Sequence, residues 1–163
     1  MRVLVSDTSV LIDLERGNLL EAAFRLSCDL AVPDLLYRRE LRDQNGPALI
    51  AMGLRVEELD SEGIGLAQTY RSRKPVLSLP DTFALALAKT RRFVLLTGDR
   101  ELRILAGAEK VECHGVLWLL DRMNDEAAAS MKSLYIGLQA IAAHPRCRLP
   151  HSEVNVRLKR FGG

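Results

Sequence analysis

Four carboxylates sit where they could do chemistry on a phosphate. Asp7 follows the apolar run Val3-Leu-Val5 across Ser6, and Asp99 follows Phe93-Val-Leu-Leu96 across Thr97-Gly98. Ligands of open parallel sheets gather beyond the carboxyl ends of the strands, so two strand-end aspartates can share one rim. Asp81 lies in the first turn of an Ala- and Leu-rich helical stretch that feeds the Asp99 run, which brings it to the same rim. Glu40 lies in Leu35-Leu-Tyr-Arg-Arg-Glu40-Leu, four residues after Leu36 and therefore on the same helix face. Crowded carboxylates raise one another's pKa unless a cation neutralises them. An oxygen-only set suits Mg²⁺ or Mn²⁺, whereas zinc would prefer cysteine or histidine. Such an ion lowers the pKa of a water and stabilises charge on a phosphate.

Plainer explanations stand beside this one. Aspartate is favoured at helix N-termini as a cap, and Asp81 and Asp99 both qualify. A solvated helix face accounts for Glu40. Asp7 is less easily explained as a cap alone, because an aspartate that ends a first strand and precedes Thr8 and Ser9 also fits a phosphate-handling site.

These residues need elements to hold them. Val3 to Val5, Leu30 to Val32 and Phe93 to Leu96 are continuous aliphatic runs, the pattern of strands buried on both faces, and they predict a mostly parallel sheet covered by helices. Leu54 to Leu59 alternates and predicts an edge strand; Val111 to Cys113 predicts a further short one. Helical patterns fall between them, over Val10 to Glu15, Leu19 to Leu26, Leu35 to Leu41, Ser61 to Arg71, Asp81 to Lys89 and Arg100 to Leu105. The alternation points to an α/β fold of three layers, α/β/α. Beyond about residue 114 the strand signals stop. A helical C-terminal tail is expected over Gly115 to Asn124, Asp125 to Ala142 and Glu153 to Arg160, with Pro145 to Pro150 as a connector. The expected organisation is one domain over 1–163, with its core in about 1–113 and an extension over about 114–163.

Composition agrees. A chain of 163 residues with 48% hydrophobic and 27% charged side chains can bury one core and carries no disordered tract. The net charge of +2 neither demands nor excludes a polyanionic partner, so local charge must decide. Cys28, Cys113 and Cys147 are odd in number and widely spaced, as in a reducing compartment, and no zinc spacing exists among them and the three histidines. No apolar run is long enough to span a bilayer and no secretory signal opens the chain, so a cytoplasmic location is expected. Arg38 and Arg100 flank the acidic positions as candidate substrate contacts, with Arg39, Arg42 and Arg103 nearby, although an ordinary solvated face explains any one of them equally well. At 5% aromatic content no base-stacking platform is evident.

The run Val3-Leu-Val-Ser-Asp7-Thr-Ser-Val-Leu-Ile-Asp-Leu resembles the opening of PIN domains. Val32-Pro-Asp-Leu-Leu-Tyr-Arg-Arg-Glu40, Leu79-Pro-Asp81-Thr-Phe-Ala-Leu and Leu95-Leu-Thr-Gly-Asp99-Arg-Glu are similar to the family's second, third and fourth acidic segments, in the family's order. The tail resembles that of a prokaryotic PIN-like subgroup. The resemblance implies a Mg²⁺- or Mn²⁺-dependent ribonuclease with Asp7, Glu40, Asp81 and Asp99 as metal ligands and catalytic groups. Ser9 would support the site, as would Thr97 beside Asp99. It further implies a homodimer and, for toxin members, an antitoxin protein as partner. Those members often carry another acid just after the fourth aspartate; here Arg100 stands in that place and leaves Glu101 as a substitute. Two other readings remain. Haloacid-dehalogenase-type phosphatases also open on a strand ending in aspartate, but need a second aspartate where Ser9 stands. A PIN-like module without activity, retained for RNA or protein binding, needs none of the acids to act.

Overall fold

The computed structural model describes residues 2–162. Five strands, β1 (Arg2–Ser6), β2 (Cys28–Pro33), β3 (Arg55–Glu57), β4 (Val94–Leu96) and β5 (Cys113–His114), form one sheet in the order β3-β2-β1-β4-β5. Every pairing is parallel, so the sheet is parallel throughout. β1 lies at the centre, and the order reverses direction between it and β4, the switch point at which ligands of such sheets bind.

Alternate residues of the central strands face opposite layers. Leu4, Leu30, Val32, Val94 and Leu96 join one cluster, with α1 (Thr8–Arg16), α2 (Leu20–Phe24), α8 (Val116–Asp125), α9 (Met131–Ala143) and α10 (His151–Gly162) among the helices packed there. Val5 and Leu95 join the other, with α5 (Ser61–Arg73), α6 (Leu79–Arg91) and α7 (Arg100–Ala108). The fold is therefore the three-layer α/β/α arrangement that the apolar runs led us to expect. Burial on both faces is why these strands read as unbroken aliphatic sequence.

α6 explains why the site-bearing strands keep their places. Ala84, Leu85, Ala86, Leu87 and Ala88 are all buried in succession, as only a helix covered on every side requires. It packs on α5, β1, β2 and β4 at once. Ser78 caps its start, accepting from Asp81 N at 3.2 Å, and Arg92 ends it in the left-handed conformation at φ 57°.

Three local expectations are corrected. A helix α4 (Gly46–Met52) fills a stretch for which the sequence pattern predicted no element; Pro47 is tolerated in its first turn, where the missing N–H has no partner to lose. The helix expected over Asp125 to Ala142 starts later, at Met131, because residues 126–130 form a turn. Ala127 at φ 54° breaks the chain between α8 and α9, and Ser130 caps the second. The segment after β2 starts as a short α-helical turn, α3 (Asp34–Leu36), and continues as a π-helical turn over Tyr37–Leu41, in which Arg42 N reaches Tyr37 O at 2.8 Å.

The tail lies within the core. Leu119, Leu120, Leu134, Leu138 and Ile141 are fully buried in the cluster that contains β1. α9 crosses the end of α1 so closely that a Cβ on Gly137 would stand 2.7 Å from Gly17 O. No described helix is long and apolar enough to cross a membrane.

Candidate functional site

β1 and β4 run side by side with Ser6 opposite Leu96, so the residues that follow them emerge together. Asp7 N continues the ladder by donating to Leu96 O at 3.0 Å. The chain then turns into α1 on one strand and, through Thr97-Gly98-Asp99, into α7 on the other.

Asp7 is 3% exposed. Its Oδ1 accepts from Val10 N at 2.9 Å, capping α1, and from Ser9 Oγ at 2.8 Å, while Oδ2 accepts from the Thr97 hydroxyl. Burial nevertheless pushes its pKa from 3.8 up to about 6; the three hydrogen bonds hold it down and nearby Asp81 pushes it further up. Thr97 also accepts from Asp99 N at 3.0 Å, so one hydroxyl ties both strand-end aspartates together. Asp99 caps α7 through Leu102 N at 2.9 Å and is exposed. The capping explanation is therefore true of Asp7 and Asp99, and it does not remove them from the site: a cap occupies part of one carboxylate and fixes its direction.

Asp81, half-buried in the first turn of α6, is raised above the usual carboxylate range, chiefly by burial and then by Asp99 and Glu40, against hydrogen bonds from Ser78. Asp7, Asp81 and Asp99 all line one cavity of about 630 Å³. Glu40 does not line it. It stands behind, accepting a hydrogen bond from the hydroxyl of Thr8, which does line it, and its charge is felt at Asp81.

The π-helical turn decides where Glu40 stands. With an α-helical period Leu36 and Glu40 would share a face; here Leu36 and Leu41, five residues apart, share the buried face, at 0% and 3% exposure. Glu40 is left at the border of that face, half-buried and directed to Thr8. π-helical turns inside helices are frequent at functional sites for this reason.

The other sequence candidates lie elsewhere. Glu101 pairs with Lys74 at 3.2 Å and Arg38 with Asp34 at 3.7 Å; neither lines the cavity. Arg100 is exposed in the first turn of α7, also outside the lining. Sequence reasoning missed two groups that are part of the wall: Asp13 and Arg16 on α1, paired at 3.7 Å, and the segment Pro145–Leu149 between α9 and α10. The α1 pair was legible as an i, i+3 spacing beyond Asp7; the later segment carried no local signal.

Among the described residues, none of the four acids has a Lys, Arg or His nitrogen within 4.0 Å, whereas most other acids of the protein do. The donor chemistry therefore fits a hard cation. Among the described residues no three His, Cys, Asp or Glu side chains stand close enough together to hold a metal ion by themselves. An open oxygen set of this kind suits an ion that keeps part of its water shell.

The sequence of residues 3–163 matches the family DUF3368, described as a PIN domain. The chain belongs to the PIN domain family. Its fold agrees. The PIN-domain chain superposes on the crystal structure of PAE2754 from Pyrobaculum aerophilum with a TM-score of 0.53 at 20% identity, over 76% of this chain and 90% of that one. A toxin-antitoxin complex from Klebsiella pneumoniae is more distant, with a TM-score of 0.41 at 18% identity over 59% and 86%. Among curated proteins none matches this PIN domain's sequence.

Proposed function

We propose that this PIN domain is a metal-dependent nuclease that hydrolyses RNA, with Asp7, Glu40, Asp81 and Asp99 as its acidic centre. The observation that carries the reading is that three aspartates from three separate elements line one cavity at the switch point of a parallel sheet, with no Lys, Arg or His nitrogen within 4.0 Å of any of them among the described residues. PIN domains are generally nucleases that use divalent metals, which supports the same conclusion.

Asp7, Asp81 and Asp99 are the groups that would hold Mg²⁺ or Mn²⁺, with Glu40 behind them. When bound, the ion supplies Lewis acidity toward a phosphate oxygen and acidifies water. The protein's own residues do the rest. Thr97, Ser9 and Val10 N fix the Asp7 carboxylate in one orientation, so no reorganisation is needed as charge develops. In the metal-free protein burial raises the pKa of both Asp7 and Asp81, and a bound cation would relieve the cost of keeping them ionised. Thr8 orients Glu40.

The test is cleavage of an end-labelled single-stranded RNA with Mg²⁺ or Mn²⁺, run beside DNA of the same sequence. Chelation should abolish cutting. Asp7→Asn and Asp81→Asn should each lose more than the roughly 10–100-fold typical of residues that merely support a metal ligand. Cutting by Asp7→Asn at the wild-type rate would reject the mechanism; metal-independent binding without cutting would favour a binding module. A toxin role beside an antitoxin protein is the biological extension of this reading, and growth arrest by the wild type but not by Asp7→Asn would support it.

A further inference from the structure

An acidic rim alone repels a polyanion, so the affinity for RNA has to come from cations placed near it. Those cations are on the strap between α9 and α10. Arg146 and Arg148 both line the cavity that contains Asp7, Asp81 and Asp99, and both are exposed. Among the described residues neither has a carboxylate within 4.0 Å. Arg16 shares the wall, but its charge is already engaged by Asp13.

The strap is held at both ends. Arg146 N donates to His144 Nδ1 at 3.1 Å and Cys147 N to His144 O at 3.0 Å, which tightens its start. Leu149 packs on the core, and Arg157 fastens the following helix by reaching Asp121 at 2.8 Å. Pro145 and Pro150 bracket the segment and narrow its backbone freedom. Two guanidinium groups on a pre-shaped segment lose little entropy when they take a ligand, and their planar forks match phosphate oxygens.

We propose that Arg146 and Arg148 form a phosphate clamp that holds single-stranded RNA by the backbone next to the acidic centre. This rests on the nuclease reading for the identity of the strand. Arg38 and Arg100, outside the cavity, are not part of the clamp.

The experiment is fluorescence anisotropy of a labelled oligouridine titrated with protein in Mg²⁺ at several salt concentrations. All variants carry Asp7→Asn so that the strand stays intact. Replacing both Arg146 and Arg148 by alanine should weaken binding about 10-fold at low salt. It should also lower the slope of log affinity against log salt by about 1.4, or roughly 0.7 for each phosphate that is no longer neutralised. Arg146→Lys with Arg148→Lys should restore the slope, which a merely misfolded strap would not allow. Arg38→Ala with Arg100→Ala should leave the slope unchanged. Unaltered affinity and slope in the strap variant, or an equal loss in the Arg38/Arg100 variant, overturns the clamp. Wild type that fails to cut yet binds through the strap arginines refutes the nuclease reading and keeps the clamp; normal cutting with strap-independent binding does the reverse.

Discussion

Replacing Asp7 by asparagine should make the metal-free protein more stable while disabling it. The carboxyl is buried at the end of β1, and its pKa stands at about 6 against an ordinary value of 3.8. Each unit of that difference is worth about 1.4 kcal/mol, so ionising Asp7 in the folded protein costs on the order of 3 kcal/mol at neutral pH. The sign follows from the direction. An acid whose pKa rises on folding adds nothing unfavourable below pH 3.8, begins to destabilise above it, and does so in full once the pH exceeds about 6. Asparagine keeps an oxygen for Val10 N and Ser9 and places an amide beside Thr97, so it removes the charge with little change of shape. Urea denaturation in chelator at pH 7.5 should show Asp7→Asn more stable by about 1–3 kcal/mol, a gain of several degrees in Tm for a domain of this size. The difference should shrink as pH falls toward 4. Mg²⁺ should raise the Tm of the wild type and leave that of the variant unmoved. An asparagine variant that is less stable at pH 7.5, or that gains as much from Mg²⁺ as the wild type does, refutes the reasoning.

Two further outcomes test the packing around the same site. Thr97→Val removes the hydrogen bond that most holds Asp7 down, so the acidic limb of the pH–rate profile for RNA cleavage should move to higher pH; an unmoved limb would disconnect Thr97 from Asp7 ionisation. Gly137→Ala should cost about 1–3 kcal/mol in calorimetric or denaturant unfolding, because its Cβ would meet Gly17 O at 2.7 Å and Leu19 Cδ1 at 2.8 Å; a neutral result would mean that α9 can slide away from α1.

The parts of the fold that were legible share one property: their signal is local. β1 and β4 are covered on both sides and therefore appear as unbroken aliphatic runs, and the aspartates after them can be found by stepping a short way past each. α6 announced itself by an Ala/Leu stretch that only a wholly buried helix tolerates. The π-helical turn at Tyr37–Leu41 was illegible, because its sequence fits an ordinary helical period and only packing of both Leu36 and Leu41 forces the wider one. The boundary between the two C-terminal helices was legible at Asn124–Asp125, but the turn over residues 126–130 was not, since alanine carries no preference for the positive φ that Ala127 adopts. The strap was read as a connector on its proline content, which was correct locally and silent about what it lies against. Arginines close to the acids in sequence drew notice, while two of the three that line the cavity come from the far part of the chain.

That separation has a consequence for when the protein gains its competence. A nascent chain emerges from the ribosome with the acidic half first: both strand-end aspartates and α6 are made before any residue of the strap. Under the proposed clamp, a chain whose α9 has not yet docked against Gly17 would carry the strand-end carboxylates without the strap arginines beside them, and would hold RNA poorly. Synthesis order would then leave this wall of the cavity as the last part of the site to be completed.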